Sequence, residues 1–404
     1  MDRFEPTVGM PREPRKPSSS GGAFPRALVG PGVCRAPGAG DLPTGRRSSK
    51  RQLLAWVVGA LVTTGAVMPL SAQSEVRLAR IEAETKLGVR RGLDYLARRQ
   101  NRDGSWTEKI GRKVHDRYEG ELGEHVGVTA LACMAFLAHG DQPGRGTYGT
   151  HIDLGLDFIL QSVESNGFIV ANRSRMYSHA FATLFLAEVY GMTGRDDVRK
   201  KLKLAANLIV QAQNSAGGWR YQPGATDSDM SITVCQVMAL RAAKNAGIHV
   251  PKETIDGAIA YVKASYVSTG AYLYQHEVDT NGRRQRSRTS FPLTAAGVTA
   301  LYGAGEYEGE YIRNGLAYMQ FSRFNKGQAR NSFDYYYGMY YGTQAAFQAG
   351  GDYWNEWYLS VWPDILALQG RDGAWTDLVG SNYATAMACV ILQIPYQYLP
   401  IFER

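Results

Sequence analysis

The chain has 404 residues, 44% hydrophobic and only 20% charged, with 45 Gly and 24 Tyr, which is enough to bury one large core or two modest ones and excludes a wholly disordered protein. The net charge of +8 does not mark a nucleic-acid surface. Residues 1–51 hold ten Lys/Arg against four Asp/Glu, and from Gln73 onward the balance is 35 to 33.

Eight of the 16 prolines fall before residue 45, among Gly, Ser and Arg, so residues 1–50 are expected to form a disordered basic leader. Arg46-Arg47-Ser-Ser-Lys50-Arg51 is followed by an uncharged run over 53–70 and then by Leu70-Ser71-Ala72. A basic segment, an apolar segment and a small-residue cleavage site in that order predict export to the periplasm or the medium, with residues 51–72 as signal segment. At 18 residues the apolar run also suffices for a membrane anchor, so association with a bilayer through residues 53–70 stays open. Residues 73–404 then form the folded part. Cys133, Cys235 and Cys389 each sit in an apolar helical pattern and read as buried free thiols.

Internal repetition organises the remainder. Gln100-Asn-Arg-Asp-Gly104-Ser-Trp106, Gln213-Asn-Ser-Ala-Gly217-Gly-Trp219 and Gln369-Gly-Arg-Asp-Gly373-Ala-Trp375 share the pattern Q-x-x-x-G-x-W. Weaker copies lie at Gln161 with Gly167-Phe168, at Thr269-Gly270-Ala-Tyr272, and at Gln320 with Gly327. From glycine to glycine the steps are 63, 50, 53, 57 and 46 residues, giving six units.

Each unit opens with an amphipathic segment: 82–100, 151–162, 196–213, 252–266, 310–322 and 353–368. Charges on one face and apolar residues at helical spacing on the other predict outer helices. After the turn and a polar loop comes a segment apolar nearly all round: 125–139, 177–190, 230–245, 291–302, 335–349 and 382–392. These are expected as inner helices, enclosed on every side. Twelve alternating helices whose inner members cannot face water close into a ring, so the fold expected is all-α, a single α6/α6 toroid of six helix-hairpin repeats. At each turn Gly permits backbone that a side chain forbids, the aromatic lies across the gap between repeats, and Gln hydrogen-bonds exposed backbone groups.

These Q-x-x-x-G-x-W turns between paired helices resemble the signature of the squalene cyclase and protein prenyltransferase superfamily, over essentially residues 82–392. The resemblance implies an α/α toroid acting on an isoprenoid-like apolar substrate, with no resident cofactor in the cyclase branch. Class II terpene cyclases carry D-x-D-D after one such turn, its middle Asp protonating an alkene or epoxide. Asp227-Ser228-Asp229-Met230 matches the first and middle aspartates, with Met230 in place of the last. On the resemblance Asp229 is the acid and Asp227 its partner; read by themselves, the two also suit a helix N-terminus. The prenyltransferase zinc set, an Asp two residues before a Cys plus a His, is not matched: Leu131, Thr233 and Met387 stand two before the cysteines. No metal is expected.

If all six hairpins point the same way, their loops share one rim. It would gather His115, Glu121, Glu124, His125, Arg173, Arg175, His179, Asp227, Asp229, Arg283, Arg284, Arg286, Arg288, Asp334 and Asp377. Arg284 and Arg286 are candidate anion ligands, His125 and His179 candidate proton carriers beside the substrate. Tyr336, Tyr337 and Tyr340 from the run Tyr335–Tyr341, with Trp219, Phe181, Phe185 and Phe291, are candidate walls for an apolar or carbocationic ligand. Two other functions fit the same residues. One is a toroid without chemistry that binds lipid or protein; the other is a carbohydrate-active α6/α6 enzyme pairing Asp229 with Glu124 or Asp334. Gly144-Arg-Gly146-Thr-Tyr-Gly149 fits G-x-G-x-x-G but follows a helix, and reads as an interhelical loop.

Overall fold

The computed structural model describes residues 70–111, 119–278, 284–323 and 334–402, with the side chains of 70–75, 277–278 and 284–286 left out. His115, Arg283, Gly327 and the leader therefore lie outside the described residues, as do the side chains of Arg284 and Arg286 and the apolar run short of Leu70.

Among the described residues there are twelve α-helices, alternately outer and inner. The outer helices are α1 (Leu70–Arg99), α3 (Gly149–Gln161), α5 (Asp196–Gln211), α7 (Lys252–Ala264), α9 (Glu310–Phe321) and α11 (Gly351–Ala367). The inner ones are α2 (Val126–Ala138), α4 (Met176–Thr193), α6 (Met230–Asn245), α8 (Phe291–Ala304), α10 (Tyr335–Ala349) and α12 (Ser381–Gln393). Eleven start and stop within three residues of the periodic segments. The exception is α1, which begins twelve residues earlier than its amphipathic pattern, at Leu70. No described helix is long and apolar enough to cross a membrane.

Each inner helix packs on the next, α2 on α4, then α6, α8, α10 and α12, and α12 packs back on α2. The ring is closed. Every residue of α2 is buried, as its lack of a polar face requires. Outer helices cover the seams, and α1 packs against both α11 and α12 to join the last repeat to the first.

The turn residues are the joints of this ring. Gln100 Nε2 donates to Gly104 O at 3.0 Å in its own turn and to His151 O at 2.8 Å in the next outer helix. Gln213 does the same to Gly217 O and Thr254 O, and Gln369 to Gly373 O and Gly88 O, all at 2.8 Å. A Cβ on Gly217, at φ +86°, would stand 2.2 Å from Gly257 O, so only glycine allows the backbones to meet. The indole N–H groups of Trp106, Trp219 and Trp375 each donate ten residues back, to Leu96 O, Ile209 O and Ile365 O.

A second joint is carried by threonine. The backbone N–H of Trp106, Trp219, Tyr272 and Trp375 donates to Thr129, Thr233, Thr294 and Thr385 Oγ1 at 3.0, 3.2, 3.2 and 3.0 Å. In the second repeat the acceptor is His179, whose Nδ1 takes the Ile169 N–H at 3.1 Å. Two antiparallel ladders not legible in the periodicity sit in the loops, β1 (Thr107–Ile110) with β2 (Glu121–Glu124) and β3 (His276–Val278) with β4 (Arg284–Arg286).

The lumen is filled. Helices α4 and α10 face each other across the ring, and Phe181 on the first meets Tyr340 on the second with centroids 6.1 Å apart. Cys235 Sγ on α6 lies 3.1 Å from Tyr341 Oη on α10, and Tyr340 and Tyr341 touch edge to face at 4.8 Å. At the far end Ile401 and Phe402 enter between inner helices, leaving a void of about 10 Å³ beside Met238, Thr299 and Phe347. Phe181 and Tyr340, expected as walls for an apolar ligand, thus meet each other at the centre and complete the core of a single ring.

Candidate functional site

The loops before the inner helices do share one rim, and its densest polar cluster lies between the second and fourth repeats. Asp229 caps α6, its Oδ1 accepting the Ile232 N–H at 2.9 Å and the Ser231 hydroxyl at 2.5 Å. Its Oδ2 pairs with Arg220 Nη1 and accepts from Tyr274 Oη at 3.4 Å. Arg220 Nε reaches Asp227 Oδ2 at 2.9 Å, and Nη1 donates to Tyr274 Oη at 2.8 Å. Arg220 was not singled out in the sequence, yet it joins both aspartates of the motif. Burial pushes the Asp229 carboxyl above the ordinary carboxylate value, while Ser231, the Ile232 N–H and Arg220 pull it back. Its side chain is 0% exposed, and both oxygens are already engaged, so it faces no ligand directly.

The rim tyrosines are fixed by the repeat. Tyr221 and Tyr274 stand two residues after Trp219 and Tyr272, and their carbonyls accept the Met176 and Met230 N–H groups opening α4 and α6, at 3.0 and 2.8 Å. Tyr221 Oη and Tyr274 Oη are 2.8 Å apart. Beside Tyr221, with ring centroids 6.1 Å apart, Tyr177 donates from Oη to Ser231 Oγ at 2.6 Å, and Tyr337 Oη donates to Ser231 O at 3.2 Å. Tyr337 is half-buried; burial pushes its hydroxyl well above the usual phenol value, with Asp229 and Asp334 both adding to the effect, so both carboxylates lie within electrostatic reach of it. Asp377 accepts the Val379 N–H at 2.8 Å. It also acts on Glu108, a β1 carboxylate that caps α12 through the Asn382 N–H at 2.9 Å and that burial pushes upward. Beside Glu108 opens a cleft of about 360 Å³ bordered by Tyr95, Arg99 and Asn382.

Several expected site residues serve the scaffold instead. Trp219 is 1% exposed, bonded to Ile209 O in the seam rather than to the mouth. His179 is fully buried between Ile169 N and Ala205 O, a repeat joint in the place of threonine, and burial pushes it down to about 4. His125 caps α2 by accepting the Val128 N–H at 3.3 Å and is likewise pushed down to about 4. Tyr336 and Tyr340 are core residues, 3% and 1% exposed. Glu124 is exposed and held by Asn172 Nδ2 at 2.8 Å. Of the expected residues, the structure gathers Asp227, Asp229, Tyr337, Arg175 and Arg288 at the mouth. Arg220, Tyr177, Tyr221 and Tyr274 were passed over in the sequence, and only Tyr221 and Tyr274 carry a legible signal, an aromatic two places beyond the turn aromatic. Among the described residues no group of three His, Cys, Asp or Glu is placed to hold a metal ion.

No family model and no curated protein matches the chain. Solved structures do. The α-1,6-mannanase GH76A of Salegentibacter superposes with a TM-score of 0.56 at 10% identity, over 79% of this chain and 100% of that one. Type II terpene cyclase MstE from Scytonema gives 0.54 at 11% identity, over 80% and 99%. An alpha-amylase from Clostridium perfringens gives 0.54 at 11% identity, over 76% and 97%. The protein therefore has the α6/α6 toroid fold of squalene-cyclase-like and glycoside-hydrolase enzymes, at identities that establish fold alone.

Proposed function

We propose that the protein is a carbohydrate-binding toroid that holds its ligand on the rim. The observation that carries this is the distribution of polarity. Tyrosine faces with hydroxyl, guanidinium and carboxylate groups between them gather at the half-buried mouth, while Phe181 and Tyr340 close the ring beneath. Sugars ask for this combination, flat apolar faces to cover C–H surfaces and fixed donors and acceptors for hydroxyls. In this proposal Tyr177, Tyr337 and Tyr221 contact the sugar, Arg220 and Asp227 hydrogen-bond it, and buried Asp229 positions Arg220. An exported location, suggested by residues 51–72, would bring the rim to extracellular glycans.

Titration calorimetry with neutral oligosaccharides, mannotriose and dextran among them, tests the proposal. Binding that weakens about tenfold or more in Tyr337→Ala supports it, a loss of the size expected for one aromatic contact. No heat with any sugar overturns it. A second reading, acid-initiated cyclisation of an isoprenoid, is supported by the fold shared with type II terpene cyclase MstE and by the spacing of Asp227 and Asp229, and needs a state in which the Asp229 carboxyl is uncovered. It requires a product from squalene or a shorter polyprenyl chain that disappears in Asp229→Asn.

A further inference from the structure

Along the mouth, side chains from three repeats alternate as Arg175, Tyr221, Arg220, Tyr274 and Arg288. Arg175 Cζ lies 5.7 Å from the Tyr221 centroid, and Arg220 Cζ 4.5 Å from Tyr221 and 5.7 Å from Tyr274. Arg288 Cζ lies 4.9 Å from Tyr274. Guanidinium over a ring face leaves the N–H edges of the cation free to turn outward, and stacking restricts the side chain before any ligand arrives. The middle cation is satisfied, since Asp227 and Asp229 both pair with Arg220. The two outer cations are not: among the described residues neither Arg175 nor Arg288 has a carboxylate partner. Arg288 is exposed and Arg175 half-buried. The ladder holds three guanidiniums against two carboxylates.

We propose that this arginine–tyrosine ladder selects an acidic glycan, with Arg175 and Arg288 each taking a carboxylate or sulfate group while the tyrosines cover the sugar rings. The assignment rests on the carbohydrate proposal above and narrows it to uronate-bearing or sulfated polymers. Fork-shaped guanidinium donors match two oxygens of such a group, and pre-stacking reduces the entropy lost on binding.

The experiment is a titration of the full chain with polygalacturonate, dextran sulfate, neutral dextran and inorganic pyrophosphate, at low and at physiological salt. Acidic polymers should bind about tenfold or more tightly than neutral dextran, the preference shrinking as salt rises. The double variant Arg175→Gln/Arg288→Gln should lose that preference while binding neutral dextran as before. Arg175→Lys/Arg288→Lys should keep part of it, because charge remains and the fork does not. Both variants change side chains outside the core, and thermal melts matching the parent show that they fold. If neutral and acidic polymers bind equally, or the Gln variant keeps the preference, the acidic assignment falls and the carbohydrate proposal survives. If no polymer binds, both fall. Pyrophosphate binding through the two arginines without any polymer binding also overturns the assignment, and makes the ladder a small-oxyanion site.

Discussion

Arg220 meets Asp229 at the head of α6, where the carboxylate caps the helix and the guanidinium stacks on Tyr221. One ion pair therefore ties the cap of an inner helix to the tyrosines of the mouth. Arg220→Ala leaves a buried carboxylate without its cation and is expected to cost about 3 kcal/mol. Asp229→Asn added to Arg220→Ala should recover part of that loss, since the neutral amide still caps the helix. Urea unfolding of the two single variants and the double measures the coupling; strict additivity would mean that the pair contributes nothing.

His179 must stay neutral in the fold, because Nδ1 accepts from Ile169 N while Nε2–H donates to Ala205 O. Burial pushes it down to about 4. Between about 6.5 and about 4 the unfolded chain binds a proton that the native one refuses, so stability is full above 6.5 and falls as pH drops through that window. The loss attributable to this ring is about 3 kcal/mol. His179→Thr, which installs the acceptor used by four other repeats, should be less stable at neutral pH yet less sensitive to acid. Urea midpoints for the two proteins should converge towards pH 4; parallel curves would rule out a neutral, trapped imidazole. His125, shifted the same way, is present in both proteins and cancels.

Gly217 and Gly224 separate close approach from backbone conformation. Both have positive φ, +86° and +79°, but only at Gly217 would a Cβ meet a neighbour, with Gly257 O at 2.2 Å, while at Gly224 nothing lies within 4 Å. Gly224→Ala should cost about 1 kcal/mol and Gly217→Ala about 3 kcal/mol or more, because the outer helices must also part. Equal losses by thermal unfolding would show that the seam is not in contact there.

Phe402 plugs the ring at the end opposite the mouth and is 2% exposed. Phe402→Ala is expected to cost about 3 kcal/mol, through lost burial and the cavity left behind. Chemical denaturation measures the cost. Binding at the mouth should be unchanged, because the filled lumen separates the two ends.

The outer and inner helices were legible because solvent acts on each helix separately. An amphipathic pattern needs one wet face, and an all-round apolar one such as Val126–Ala138 needs none. The Gln, Gly and Trp of the three complete turns were legible for a related reason, as their identities are dictated by contacts that recur from one such turn to the next. The motif Asp227-Ser-Asp229 was equally visible, but its partners were not. Arg220 lies nine residues before Asp229, and Tyr274 belongs to the next repeat; only the turning of the chain brings them to one carboxylate. The same applies to His179, which looks like a rim group in sequence and becomes a joint because Ile169 N points at it.

By itself the sequence determined a closed ring of six helix pairs with a polar rim, since hydrophobic periodicity and repeated turn chemistry are properties of short segments. Tertiary structure alone decided that the ring is filled, that Asp229 is enclosed and that arginines stack on tyrosines along the mouth. Those outcomes depend on which side chains meet across the lumen and between repeats, as Phe181 meets Tyr340. Such distances are set by packing the whole circle at once, and no single segment contains them.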